Sequence, residues 1–311
     1  MQRSKKLVFS LVFIGALLSC NRFASQQPEN EPLVSIDLNE IKERGFITAL
    51  VDNNSFSYFI YKGRSMGYEY ELLKLLADHL QVDLRIRVTS GIERAIGQLN
   101  KGEGDVLAFP LTVTKDRTEK VSFTNPQFDS YQVLVQRKPD NWRQLTREQI
   151  NTQLIRKPSQ LIGKEVYVMP GSSFSQRLKH LSEEVGGEIM INQDSTNAET
   201  ENLIRAVALG EIDYTVTDNI IARVNAAYYN NLDVETIISL PQTIAWAVRK
   251  NSPELQLAIN EWLAKVKKEP TFMVIFNRYF NSPRTSIIRL TSDYSSLAGN
   301  KISPYDDLIK E

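Results

Sequence analysis

The sequence has few of the residues that carry metal and nucleophilic chemistry. Its 311 residues include one cysteine, and its two histidines, His79 and His180, lie far apart in the chain. One cysteine cannot close a disulfide within the chain, and isolated histidines match neither a metal-ligand pattern nor a Ser–His or Cys–His nucleophile. We therefore predict no metal site, no cofactor and no catalytic residue.

The sequence also lacks an excess of either charge. Lys and Arg together number 37, and Asp and Glu together also number 37. Proteins that bind nucleic acids need a basic surface to neutralise phosphates, so we expect no nucleic-acid partner. The length suffices for one large domain or two small ones.

The N-terminus has the layout of a secretory signal. Basic residues precede a mainly apolar run, 7–18, which is shorter than a typical membrane-spanning helix. The residues before Cys20 resemble the processing site of bacterial lipoproteins. This resemblance implies cleavage before Cys20 and a lipid on its sulfur, although a buried structural cysteine is the alternative. We expect a signal peptide over 1–20, a polar tether over 21–36, and a periplasmic protein anchored by lipid to the cell or outer membrane.

The remaining chain shows the same pattern twice, which predicts two α/β lobes. In each half, apolar runs of strand length alternate with runs of helical periodicity, in the order expected for parallel strands. The sequence Gly-Glu-x-Asp precedes a strand in both halves, at Gly102 and at Gly210. Ordinary helix-to-strand loops would also contain glycine at this point, because it readily ends a helix.

Polar side chains follow the predicted strands where α/β proteins bind ligands, at the carboxyl ends of the strands. Thr112 and Arg117 follow the third strand of the first half, whereas Asp218 follows a strand of the second half. Ser172 and Ser173 begin a helix whose free N–H groups suit an anion. We expect Arg117 to bind a carboxylate and Asp218 an ammonium group.

Simpler interpretations of these residues remain open. Arg117 can instead pair with Asp116 or Glu119 at the surface, as most arginines are solvated. Asp218 and the two serines are also good residues for capping the N-termini of helices.

Several motifs resemble the family 3 bacterial extracellular solute-binding proteins, over about residues 40–281. The matching sequences are Gly-Tyr-Glu-Tyr-Glu-Leu at 67–72, Thr-x-Thr-x-x-Arg at 112–117 and Gly-Ser-Ser at 171–173. The resemblance implies an α/β, two-lobed, type II periplasmic-binding-protein-like fold with the ligand cleft between the lobes. It also suggests Phe56 and Tyr58 as aromatic contacts for a ligand, although both can equally belong to the core.

The resemblance also implies domain boundaries. The solute-binding domain is expected over 37–281, with lobe one at about 40–134 plus 246–281 and lobe two at about 135–245. Two strands, 132–137 and 243–248, are expected to carry the chain between the lobes.

A closer resemblance is to membrane-bound lytic murein transglycosylases, in which such a module precedes a lysozyme-like domain. It rests on 210–218, on Pro-x-x-Ile-Ala-Trp-Ala at 241–247 and on 302–310. It implies a regulatory, noncatalytic chain whose residues 282–311 resemble the linker to that domain. The ligand would be an amino acid, a peptide or a muropeptide, and peptidoglycan a partner. The alternatives are a receptor for an amino-acid ABC permease and an enzyme that cleaves peptidoglycan.

Overall fold

The structure of the chain is a computed structural model that describes residues 34–193, 199–282, 287–288 and 292–297. The expected signal peptide, Cys20 and most of the tether and C-terminal tail lie outside these residues. Within the described part of the chain, no helix is both long and apolar enough to cross a membrane.

The first lobe is built around a mixed sheet with helices on its faces. Its strands are β1 (Phe46–Val51), β4 (Asp83–Val88), β5 (Val106–Thr112), β6 (Ser122–Phe123), β7 (Phe128–Ser130) and β13 (Gln242–Val248). Its helices are α1 (Leu38–Arg44), α2 (Tyr68–Leu80), α3 (Ile92–Asn100), α4 (Lys115–Thr118), α9 (Pro253–Val266) and α10 (Pro270–Phe280). A separate hairpin, β2 (Phe59–Tyr61) and β3 (Arg64–Met66), follows β1.

The second lobe has its own five-stranded sheet. Its strands are β8 (Gln132–Arg137), β9 (Glu165–Tyr167), β10 (Met190–Asn192), β11 (Tyr214–Asp218) and β12 (Leu232–Ile237). Its helices are α5 (Arg147–Gln153), α6 (Ser173–Val185), α7 (Thr200–Leu209) and α8 (Asn219–Tyr228).

The two sheets share one topology. The first has the strand order β4-β1-β5-β13-β6, with β7 also paired to β13, and the second has β10-β9-β11-β8-β12. β5 pairs in parallel with β1 and antiparallel with β13, and β11 likewise pairs in parallel with β9 and antiparallel with β8. The strands β8 and β13 each lie next to a lobe crossing. The structure thus has the expected two lobes of like architecture, and the fold class is confirmed.

The chain changes sheets at slightly different points from those expected. β8 lies wholly in the second sheet and β13 wholly in the first. The crossings therefore fall at Tyr131, between β7 and β8, and between Ile237 and Gln242. Both strands are mostly buried, so their sequences carry no signal for the sheet to which each belongs.

The helix α2 is fixed against the core of the first lobe through its N-terminal turn. The side chain of Glu69 is buried, and its carboxylate accepts a hydrogen bond of 2.6 Å from the indole N–H of Trp246 in β13. The ring of Trp246 stacks on Trp262 of α9 at 6.1 Å. These contacts join α2, the crossing strand β13 and α9 into one packed layer.

The start of α2 also requires a glycine. Gly67 has φ +137°, and a Cβ there would overlap the backbone carbonyl of Ser57. The N–H of Gly67 donates to the Tyr279 hydroxyl of α10 at 3.0 Å. The turn before α2 is therefore packed too closely for any side chain.

We predict that Gly67→Ala destabilises the fold by about 3 kcal/mol or more, because it adds both backbone strain and a clash with the backbone. Gly97→Ala is the matched control. Gly97 lies inside α3 with no atom within 4 Å of an added Cβ, so alanine should stabilise that helix by up to about 1 kcal/mol. Urea unfolding of both variants measures these effects, and equal midpoints for Gly67→Ala and the parent would contradict the prediction.

Candidate functional site

A cavity of about 280 Å³ lies between the two lobes, at the carboxyl ends of their central strands. The first lobe contributes the turn after β1 and the end of β5, and the second contributes the end of β11 and the first turns of α6 and α7. Six of the seven expected ligand-binding residues line it: Phe56, Thr112, Arg117, Ser172, Ser173 and Asp218.

Arg117 is held in place by carbonyl groups from both lobes. Its Nη1 donates to the Thr112 carbonyl at 2.9 Å, and its Nη2 donates to the Gly171 carbonyl at 3.3 Å. The side chain of Thr114 caps α4 by accepting from the Arg117 N–H at 3.4 Å. The guanidinium has five N–H donors, so these two bonds leave donors for a ligand carboxylate.

Arg117 is a buried cation rather than a surface residue. It is 6% exposed, and none of its hydrogen bonds goes to the carboxylate of Asp116 or Glu119. Burial lowers its pKa, whereas the charges of Glu93 and Asp218 raise it. Because the pKa of arginine normally lies far above neutrality, the group stays charged.

Asp218 ends β11 and occupies the N-cap position of α8, but its side chain makes no capping hydrogen bond. It is 6% exposed, and its Oδ1 has no hydrogen-bond partner among the described residues. Burial raises the pKa of Asp218 to about 7, and the Ser130 hydroxyl and the Arg117 charge oppose this rise. A cation placed at this oxygen would favour the ionised carboxylate.

One hydrogen bond between hydroxyl groups of the site joins the two lobes. Ser173 Oγ, at the start of α6, donates to Thr112 Oγ1 at 3.2 Å and accepts from Gln132 Nε2 at 3.2 Å. The Ser172 hydroxyl instead donates to the Met169 carbonyl at 2.6 Å and makes no capping bond. Ser173 and Thr112 therefore face the cavity together, while the hydroxyl of Ser172 is engaged in its own turn.

The two aromatic candidates differ in position. Phe56 lines the cavity and packs on Phe280 with ring centroids 5.9 Å apart. Tyr58 lies outside the cavity lining: its ring meets Tyr70 edge-on at 5.7 Å, and its hydroxyl pairs with Ser65 Oγ at 3.2 Å. In the structure Tyr58 belongs to the packing between α2 and the β2–β3 hairpin.

Sequence reasoning missed three acidic residues of the cavity, Asp52, Glu199 and Glu201. Asp52 directly follows β1, so the rule that found Arg117 and Asp218 at strand ends would also have found it. The two glutamates lie at the N-terminus of α7, where no pattern in the sequence marked a ligand site. Among the described residues, no three metal-ligating side chains cluster as a metal ion would require.

This fold and this cavity define a two-lobed solute-binding protein. Residues 47–282 match the model of the bacterial extracellular solute-binding proteins, family 3. The chain belongs to that family.

The chain is similar to the membrane-bound lytic murein transglycosylase F of Desulfosudis oleivorans, at 34% identity over 247 residues. This match covers 79% of the chain and 51% of the relative, so the chain spans about half the length of that curated protein.

Solved structures of amino-acid-binding proteins share the fold. An ancestral arginine-binding protein bound to arginine matches at a TM-score of 0.63 and 25% identity, with 76% of this chain and 99% of that chain covered. An ancestral arginine-binding protein bound to glutamine matches at a TM-score of 0.61 and 25% identity, covering 77% and 99% of the two chains.

We predict that Asp218→Asn stabilises the protein without ligand at pH 8. A carboxyl whose pKa is raised on folding binds its proton more tightly in the folded state. The contribution of Asp218 therefore favours the folded state at low pH. This contribution is lost as the pH rises from about 4 to about 7. Asparagine carries no such charge, so the variant should gain on the order of 1–3 kcal/mol at pH 8 and little near pH 4.

Urea unfolding of both proteins without ligand, at several pH values, measures this difference. Asp78→Asn, at an exposed position of α2, serves as the control for removing one negative charge. A difference between Asp218→Asn and the parent that does not change with pH would contradict the raised pKa.

Proposed function

We propose that this chain is a periplasmic binding module for an amino acid, or for a peptide or muropeptide that presents an amino-acid-like end. The ligand carboxylate binds Arg117, and its ammonium group binds Asp218. Ser173 and Thr112 supply further hydrogen bonds, and the ligand holds the two lobes together. The lipid anchor expected at Cys20 would keep the module at the membrane surface.

The observation that carries this proposal is the pair formed by Arg117 and Asp218 in one cavity. Both side chains are buried, each influences the pKa of the other, and they come from different lobes. Burying single charges is unfavourable unless they are paired, so the site favours a ligand with one charge of each sign. The solved structures with arginine and glutamine support an amino acid as such a ligand.

The role we favour for the module is sensing of cell-wall fragments rather than delivery to a transporter. The support for sensing is the similarity to a lytic murein transglycosylase over about half of that protein. Delivery of an amino acid to an ABC permease is the alternative role for the same cavity. In either role the chain binds its ligand without chemically changing it.

We predict that Arg117→Ala lowers the affinity for a carboxylate ligand by about 30-fold or more, equivalent to 2 kcal/mol or more. The variant removes the charge-assisted bonds and leaves the carboxylate buried without a partner. Arg87→Ala is the control, because Arg87 pairs with Glu103 on the exposed side of β4. Isothermal titration with a panel of free amino acids and with muropeptides measures the affinities.

The outcome that would contradict the binding site is an Arg117→Ala variant with the parent's affinity. Arg117→Lys sharpens the comparison, because lysine keeps the charge but loses the fork of donors. It should bind more weakly than the parent and more tightly than the alanine variant.

We also predict that the purified chain releases no anhydromuropeptides from peptidoglycan. Mass spectrometry of the soluble products tests this, with a lytic transglycosylase as the positive control. Release of such products by the chain would show an enzyme rather than a binding module.

A further inference from the structure

The cavity between the lobes contains more negative than positive groups. Four carboxyl side chains line it, and Arg117 is the single cationic side chain among the described lining residues. The carboxyl groups belong to Asp52, Glu199, Glu201 and Asp218. An amino acid with an uncharged side chain would satisfy Arg117 and Asp218 and would leave three carboxyl groups without a cation.

These charges form two electrostatic groups. Arg117 and Asp218 are linked by a short path of contacts. Arg117 donates to the Thr112 carbonyl, the Ser173 hydroxyl bonds both Thr112 Oγ1 and Gln132 Nε2, and Gln132 is the strand partner of Asp218. Asp52 instead responds to Glu199 and Glu201. The cavity thus has one end that suits the head of an amino acid and another end that is acidic.

Glu201 is tied to the turn that carries Asp52. Its carboxylate accepts hydrogen bonds from the backbone N–H of Ser55, at 3.2 Å, and from the Ser55 hydroxyl. Asp52 itself accepts from Asn54 Nδ2 at 3.1 Å. Because Ser55 belongs to the first lobe and Glu201 to the second, closed lobes bring the acidic groups together.

The ionised forms of the carboxyl groups at the acidic end are unfavourable beside one another. Burial raises the pKa of Asp52 to about 6, and the charges of Glu199 and Glu201 raise it as well. Burial also raises the pKa of Glu201, against hydrogen bonds from Ser55 and Asn225. At the other end, the nine-tenths buried Asp218 has an oxygen without a partner that lines the same cavity. A positive group at either end of the cavity would therefore stabilise the ionised carboxylates there.

We propose that the cavity selects amino-acid ligands with a second cationic group, which lies between Asp52 and the glutamates of α7 while the head binds Arg117 and Asp218. This inference rests on the proposed function, since it names the ligand class of the same site. A cation at the acidic end relieves the repulsion there, whereas an uncharged side chain leaves it in place.

Pairs of ligands that differ in one charge test the proposal. Arginine is compared with citrulline, which has nearly the same shape but no charge, and lysine with norleucine. We expect each cationic ligand to bind at least about tenfold more tightly than its uncharged partner at pH 7.5. Isothermal titration at low and high salt gives the affinities. The preference should weaken only in part at high salt, because Glu199 is exposed whereas Asp52 and Glu201 are partly buried.

Variants of the acidic end identify the residues responsible. Asp52→Asn and, separately, Glu199→Gln should each reduce the arginine-over-citrulline preference by about threefold or more while citrulline affinity stays nearly constant. Two positions are used because either substitution alone could alter folding, which circular dichroism of each variant checks. Glu235→Gln, on the exposed part of β12, is the control and should leave the preference unchanged.

The outcomes separate this inference from the proposed function. If citrulline and norleucine bind as tightly as arginine and lysine, the charge selection is wrong and the amino-acid site stands. A second case is that muropeptides bind and no amino acid in the panel does. The charge selection then predicts that a muropeptide with a second ammonium group binds more tightly than its N-acetylated form. Equal binding of the two forms would contradict the charge selection. If neither class binds, the proposed function itself fails.

Discussion

The geometry of the site depends on how one guanidinium is held. Arg117 donates to a carbonyl of the first lobe and to a carbonyl of the second, so its plane is set by both lobes at once. A carboxylate bound to the remaining donors would therefore lie against residues of both lobes. The position of Gly171 makes this possible, because its φ of +70° turns the carbonyl before α6 towards the cleft.

This arrangement buries charged groups, which is unfavourable. Asp218 and Asp52 have pKa values near neutrality because they are removed from water, and Glu201 is shifted in the same direction. Carboxyl groups buried in this way weaken the fold at neutral pH, and a ligand with the complementary charges offsets that loss. Replacing one of these carboxyl groups by a neutral residue should thus raise the stability of the protein without ligand and lower the affinity for a cationic ligand.

Much of the fold follows from local patterns in the sequence. In α2, Leu72, Leu73, Leu76 and Leu80 are buried along one face, at the spacing by which an amphipathic helix can be predicted from sequence. Arg117 and Asp218 were found by one topological rule, the position of ligands at the carboxyl ends of strands. Neither case requires knowledge of which lobe packs against which.

The features that the sequence did not reveal depend on long-range pairing. Ser55 and Glu201 are 146 positions apart, so their hydrogen bonds leave no local pattern. The lobe to which β8 and β13 belong is decided by strand partners rather than by strand composition. Tyr58 lies two positions after Phe56 in the sequence, but its hydroxyl pairs with Ser65 of the β2–β3 hairpin rather than lining the cavity.

The bonds that join the lobes also bear on how a ligand closes them. Ser173 to Thr112 and Ser55 to Glu201 link the lobes directly. A ligand shifts the balance between open and closed forms only by the difference in its affinity for the two. In this cavity the difference comes from charges that meet only on closure, since Arg117 and Asp52 belong to one lobe and Asp218 and Glu201 to the other. A ligand that satisfies one lobe alone would bind without holding the cleft shut.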